Sequence, residues 1–485
     1  MLLSLRAQLR DVSRRLALFH QRLTGFVAPR TPAAGVRMGW RTILLECLLL
    51  TVAVLLYCTA FLGVGETRVL PGNEADVFQA LDWVLVNSLT RYHQFPLWNP
   101  YLQAGVPYIA DPMLHLYNPL VTLPVLVFGV WDGFKLGLVF SFVAAAIGMW
   151  RLGAVLGMSR ASRLWMALMY AFAGQPSGRF MQGQYLFVLG FAWIPWCIGS
   201  LILATETRRR WHAAIAVLSL AMLFFSGNAY YSFYMLLVIV LFAAVTLLRF
   251  QARKPFVRLD LSRFKILAIV GVVALALVAV QLFPLVEFWP RMGKDLQLAG
   301  QQTPVQVFLD YVSKDTCRPD TCRPWLAREE FYAYIGYTPF LALILLPLAI
   351  ARRDKRYLLF FALILALTVA WIDVERMPWR ELFLRMKIMF QFRHLLRILA
   401  FGGFAVITLG GMSLDTLWQM LQRIVRPSDP ARRSAVRSYI ATVGLGILAG
   451  IMVYGVIDVF STNRQRLQPQ DRYQPIYEVT RWLRE

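Results

Sequence analysis

The chain has 485 residues, of which 58% are hydrophobic, 14% aromatic and only 16% charged, and its mean hydropathy is +0.55. About a quarter of an ordinary soluble domain is charged, so this composition excludes that class, together with disordered, collagenous and disulfide-scaffold chains. The net charge of +23 invites a nucleic-acid reading only if Lys and Arg are not placed for membrane orientation, and their positions decide that.

Residues 1–41 lack the continuous apolar core of a cleavable signal peptide. Leu2, Leu5, Leu9, Val12, Leu16 and Phe19 recur at helical spacing with Arg6, Arg10, Arg14 and Arg15 between them. This is the pattern of a basic amphipathic helix on a membrane face, read either as an orientation device or as a lipid-sensing element. Apolar stretches of about 20 residues, the length a bilayer requires, then occupy 42–64, 134–156, 163–179, 185–204, 212–226, 230–248, 266–288, 332–350, 357–372, 395–412 and 438–458. The expectation is an all-α polytopic membrane protein of about eleven spans.

With 1–41 inside, the gaps 151–163, 205–211, 249–265, 351–356 and 413–437 fall on the same side. Together these six segments hold 29 of the 50 basic residues against 6 of the 27 acidic ones. That difference equals the entire net charge, because the remaining 21 basic and 21 acidic residues cancel. The excess charge follows the positive-inside rule, and the nucleic-acid reading loses its motive. An odd number of spans puts the tail 459–485 outside. The outer loops are uneven: 65–133 and 289–331 are long, and 373–394 is intermediate. Long loops are where a site at the membrane boundary is built.

Several chemistries find no support. The five histidines, His20, His93, His115, His212 and His394, form no i,i+4 pair, and HExxH, GxxxxGK[ST] and GxGxxG are absent. No metal-ligand motif is present, so a divalent cofactor stays open and unsupported. Cys47, Cys58 and Cys197 fall inside predicted spans as small hydrophobes. Cys317 and Cys322 flank Arg-Pro-Asp-Thr in the second outer loop, where a structural disulfide is expected if that compartment is oxidising.

In the first outer loop, Glu74 and Asp76 stand in Pro71-Gly72-Asn73-Glu74-Ala75-Asp76, just ahead of a helix pattern at Val77, Leu81, Val84 and Leu85. Asp76 reads as a helix N-cap or as a general base beside a lipid substrate. A stretch dense in Pro and Gly follows, Phe95-Pro96-Leu97-Trp98-Asn99-Pro100-Tyr101-Leu102-Gln103-Ala104-Gly105-Val106-Pro107-Tyr108, running on to Asp111-Pro112 and Tyr117-Asn118-Pro119. No membrane helix adopts such a path.

Here the chain resembles the YfhO-like bacterial membrane proteins of the GT-C glycosyltransferase superfamily. The resemblance rests on Asp76, the PLWNPYLQAGVPY run, Asp111, Tyr117 and Pro119, with weaker support from YAFAG at 170–174, FAWIPW at 191–196, FSGNAYYSFY at 225–234, QLFPLVEF at 281–288, FYAYIGYTPFLALI at 331–344 and FQFRHLLRIL at 390–399.

The resemblance implies a GT-C-type helical bundle over 42–458, with amphipathic helices in its large first outer loop. It also implies transfer of a sugar from a polyprenyl-phosphate-linked donor to a cell-envelope glycan or lipid, on the outer face of a bacterial inner membrane. Asp76 becomes the base of an inverting displacement and Asp111 a second polar group of the site. Arg393 and Arg397 match a basic position suited to the donor phosphate, although interfacial snorkelling beside Phe390 and Phe392 also accounts for them. Glu74, Trp98 and Asn99 complete the substrate-binding candidates. Where members of that family often carry histidines, this chain has Gln184 and Asn228. Family members also tend to be longer, and 459–485 reads as the opening of a C-terminal outer domain. The rival function, from a different class, is a transporter or flippase of lipid-linked intermediates. Charges deep inside the spans would favour it, and only Glu46 and Glu287 come near.

Overall fold

The computed structural model describes residues 39–62, 68–72, 74–102, 104–250, 257–291, 302–314, 332–378, 380–385, 392–425 and 435–471. The N-terminal amphipathic segment and the Cys317–Cys322 pairing lie outside the described residues.

Helix α1 (Trp40–Leu62) is followed by strand β1 (Arg68–Val69) and helix α2 (Ala75–Thr90). A hairpin of β2 (Trp98–Asn99) and β3 (Val106–Pro107), then a 3-10 turn (Tyr108–Ala110), lead to α3 (Pro119–Val155). Next come α4 (Arg160–Ala171), α5 (Gly174–Met181), α6 (Tyr185–Phe191), α7 (Ile194–Thr207), α8 (Arg210–Phe225) and α9 (Ala229–Leu247). The hairpin of β4 (Leu248–Phe250) and β5 (Val257–Leu259) precedes α10 (Leu261–Phe288), α11 (Pro304–Val312), α12 (Thr338–Leu343), α13 (Leu346–Arg352), α14 (Lys355–Ile372) and α15 (Arg380–Arg385). Helices α16 (Leu399–Val425) and α17 (Ala435–Arg464) close the bundle, and β6 (Gln470–Asp471) pairs antiparallel with β1.

Among the described residues, eight helices are long and apolar enough to cross a membrane: Trp40–Leu62, Pro119–Val155, Tyr185–Thr207, Ala229–Leu247, Leu261–Phe288, Lys355–Ile372, Leu395–Val425 and Val436–Leu467. The chain is a multi-pass membrane protein. The first two thirds of α16 are buried on every side, Leu399 through Thr416, whereas α10 and α17 expose most of their apolar surface. Those exposed Leu, Ile and Val side chains are what a helix facing lipid requires.

The other three predicted spans take different forms. Residues 212–226 coincide with α8, an apolar helix of 16 residues. Residues 163–179 are split between α4 and α5, and 332–350 become an extended stretch followed by the short helices α12 and α13. Hydropathy summed over a window does not register a break in the backbone. Inside a membrane such a break needs its polar groups satisfied by protein. Here the two broken segments supply each other: the Gly174 amide donates to the Tyr334 carbonyl at 2.7 Å. The Asn463 amide from α17 donates to both the Phe172 carbonyl (2.6 Å) and the Tyr334 carbonyl (3.1 Å).

Helix α3 begins earlier than the span expected at 134–156. Asn118 caps it, accepting from the Leu120 amide at 3.2 Å. At Gly129 the backbone turns out of the helix (φ 81°, ψ 173°), and 119–128 folds back so that Val125 lies against Gly133 and Val121 against Gly137. The exposed Leu123, Leu126, Val127, Phe128 and Trp131 suit this folded-back segment to a membrane interface.

Among the described residues, ends of the basic segments meet at one end of the bundle, where Glu46, Asp415 and Glu206 are paired with arginines. Glu46 accepts from Arg160, bidentately from Arg163, and from the Trp150 indole, each at 2.7 Å. Asp415 pairs with Arg353 and accepts from the Ser159 amide. Glu206 pairs with Arg263 and Arg356. The α2 layer lies at the opposite end.

Candidate active site

Helix α2 opens where two turns cross. Gly72 and Gly183 both have positive φ (97° and 80°), and a Cβ on Gly72 would stand 1.9 Å from the Gln182 carbonyl carbon. Only glycine allows that approach. The Tyr185 hydroxyl donates to the Pro71 carbonyl at 2.6 Å, pinning the loop to the start of α6.

The capping position of α2 is Glu74, not Asp76, and its side chain makes no cap hydrogen bond. Its carboxylate instead accepts from Gln184 Nε2 at 3.2 Å, and Gln184 Oε1 accepts from Arg179 Nη1 at 2.5 Å. Arg179 is completely buried. Its guanidinium lies 4.7 Å over the Phe187 ring, and the Arg397 guanidinium lies 5.0 Å from the same ring and 4.2 Å from Tyr230. Tyr230 in turn sits edge-on to Phe392, 5.4 Å away, and 6.3 Å from His394. One chain of contacts therefore joins the first-loop carboxylate to the basic residue ahead of α16, residues more than 300 positions apart in sequence.

Asp76 occupies the first turn of α2 on its exposed face, with Ala80 and Trp83, and acts electrostatically on the Tyr185 hydroxyl. The helix dipole favours a carboxylate there. Arg393 is half-buried between Phe392 and His394. Trp98 and Asn99 belong to the hairpin: the Asn99 side chain is buried and accepts from the Tyr101 amide at 3.0 Å, and the Trp98 indole covers Gly105. These contacts close the hairpin.

Asp111 belongs to a second polar cluster. Its Oδ1 accepts from the Met113 amide at 2.8 Å, and burial raises its carboxyl above the usual range against the pull of that bond and of His115. His115 faces the Asp82 carboxylate at 3.0 Å through Nε2 and the Met113 carbonyl at 3.3 Å through Nδ1. Both ring nitrogens face acceptors, which the doubly protonated imidazolium satisfies. Burial alone would lower the His115 value; attraction and hydrogen bonding from Asp82 outweigh it, and the net direction is up. Asp82 lies six residues beyond Asp76, about 9 Å along the helix, on its buried face. Gln281 Nε2 from α10 donates to the Leu114 carbonyl at 3.1 Å, docking this cluster on the bundle.

A pH dependence follows. The stabilisation from His115 is fully present below the unfolded value of about 6.5 and is lost as pH rises through the raised folded value. Asp111, also raised, acts in the same sense from about pH 3.9 upward through its folded value. The thermal midpoint of the purified protein should fall as the buffer is taken from about pH 6 to about pH 9, and the slope should flatten in His115→Gln. An equal slope in that variant rejects the assignment.

Among the described residues no group of three or more His, Cys, Asp or Glu side chains can hold a metal ion. Arg179 escaped the sequence reading although it ends a predicted span, where a lone Arg is a signal in its own right. Asp82 escaped because nothing in sequence separates it from other helix-surface carboxylates.

No family model matches the chain, and no curated protein matches it. Two of the solved structures similar to it bear on the fold. One is the Archaeoglobus fulgidus oligosaccharyltransferase tethered to an acceptor peptide, at 13% identity and a TM-score of 0.55 over 92% of this chain and 57% of that one. The other is the arabinofuranosyltransferase AftD from Mycobacteria, at 15% identity and a TM-score of 0.50 over 87% of this chain and 28% of that one. The chain thus spans 57% and 28% of their lengths. At these identities the likeness is one of fold alone: the backbone shares the helical membrane architecture of these two structures.

Proposed function

We propose that the protein is a membrane glycosyltransferase that takes a sugar from a polyprenyl-phosphate donor and passes it to a cell-envelope glycan or lipid on the outer face of a bacterial inner membrane. The observation that carries this reading is the contact chain Glu74–Gln184–Arg179–Phe187–Arg397, which joins one carboxylate, two residues from Asp76, to two guanidinium groups. Asp76 is the base that accepts the proton of the acceptor hydroxyl as its oxygen attacks the anomeric carbon. The lipid phosphate leaves with the bonding electron pair, and Arg397, with Arg393, stabilises its charge. A single displacement inverts the anomeric configuration.

The test is transfer by purified protein in nanodiscs from a panel of short-chain polyprenyl-phosphate sugars. Arg397→Ala should weaken donor binding by about 10- to 100-fold, the worth of a hydrogen bond to a charged group. Unchanged donor binding would remove Arg397 from the site. The rival reading, a flippase, draws support from the fully buried Arg179. Movement of the lipid across a vesicle membrane with no sugar transferred to any acceptor would favour it.

A further inference from the structure

Helix α5 carries more buried polarity than the contact chain uses. Gln175 and Arg179 stand at i and i+4 and so share one face, and Gln182 caps the C-terminal end of the same helix. The other side of the helix packs on α1: Ser177 hydrogen-bonds the Tyr57 hydroxyl at 2.7 Å, and Phe180 lies 4.7 Å from Phe61. Among the described residues, several polar atoms on the Gln175 face lack partners. Gln175 is 2% exposed, and neither its amide oxygen nor its amide nitrogen has a hydrogen-bond partner. Both amide atoms of Gln182 are likewise buried and unpartnered. The Tyr231 hydroxyl, fully buried, is also unpartnered. Its ring meets Phe187 at 5.1 Å, and it lies within electrostatic reach of both Arg179 and Arg397. Buried polar atoms without partners are rare, and three residues that carry them around one buried arginine call for an explanation.

We infer that this face, closed by Tyr231, is a subsite for the uncharged sugar ring of a lipid-phosphate-linked glycan. Two carboxamides and a phenol supply donors and acceptors in similar number, which matches hydroxyl groups, each of them both donor and acceptor; the Arg179 guanidinium between them is engaged by Gln184 and the Phe187 ring. The Phe187 and Tyr231 rings offer apolar walls to the carbon face of a pyranose or furanose. The inference rests on the transferase reading for the position of the phosphate at Arg397, and goes beyond it in stating which residues read the sugar.

The probes are bare short-chain polyprenyl phosphate and the same lipid carrying glucose, galactose, mannose or arabinofuranose, with binding to wild type and variants measured in nanodiscs. At least one sugar-bearing lipid should bind wild type about tenfold or more tighter than the bare lipid. Gln175→Leu should abolish that increment and Tyr231→Phe reduce it, while bare-lipid binding stays unchanged and reports an intact fold. Gln175→Asn, which keeps the amide and shortens the side chain, serves if the Leu variant does not fold, and should shrink the increment. An increment that survives in these variants overturns the subsite. So does a wild type that binds no sugar-bearing lipid better than the bare one, which would mean that water fills the face. Sugar-dependent binding with no transfer to any acceptor would leave the subsite standing and sink the transferase reading. Transfer with unaltered sugar preference by Gln175→Leu would do the reverse.

Discussion

Asp76→Asn should slow sugar transfer by about 10²- to 10⁴-fold, the usual contribution of a positioned general base. The substitution keeps the size and part of the hydrogen bonding of the side chain and removes only the proton acceptor. Donor binding should survive, because the phosphate contact is assigned to Arg397 at the far end of the contact chain. A role in stabilising the helix predicts something different. Asp76 sits in the first turn of α2, while Glu74 holds the capping position, so a purely electrostatic benefit from the helix dipole is about 0.3–1 kcal/mol. Its loss would lower the thermal midpoint slightly and leave turnover intact. Single-turnover kinetics on the wild type and the Asn variant, at saturating donor, separate the two. Wild-type chemistry in the variant rejects Asp76 as the base.

Glu46→Ala should cost about 3–5 kcal/mol of stability, the penalty for leaving a buried partner charge uncompensated. Glu46 is 2% exposed and holds Arg163, which is nearly as buried, through two hydrogen bonds of 2.7 Å. An arginine cannot shed its charge as a buried lysine does. Arg160 adds little, because its side chain is largely exposed. The double variant Glu46→Ala with Arg163→Leu should recover most of the loss, since it removes both charges together. Thermal denaturation in detergent, scored on the double-mutant cycle, gives the coupling. Additive losses would show that the pair is not the stabilising unit.

The membrane class was legible from composition alone, because a bilayer tolerates only long apolar helices and records their orientation in the basic residues between them. Most of the spans were legible for the same reason, down to α1, α9 and α14, whose ends fall within a few residues of the expected ones. The break at Ala173–Gly174 and the extended stretch at 332–337 were not. They become tolerable only because Asn463, far along the chain, supplies the missing hydrogen bonds, and no local pattern announces a partner some 290 residues away.

The candidate site divides in the same way. Asp76 and Glu74 stood out in sequence as carboxylates at a membrane exit, and Arg397 as a cation at the start of a span. What only the tertiary structure decided is which of the candidates meet. Crossing of the Gly72 and Gly183 turns brings Glu74 to Gln184 and Arg179. Asp111, in contrast, is drawn into the Asp82–His115 pair, because a buried carboxyl settles beside the nearest positive charge and backbone amide. Sequence determines where the charges fall along the chain. Packing decides which of them share one low-dielectric space, and chemistry depends on that sharing.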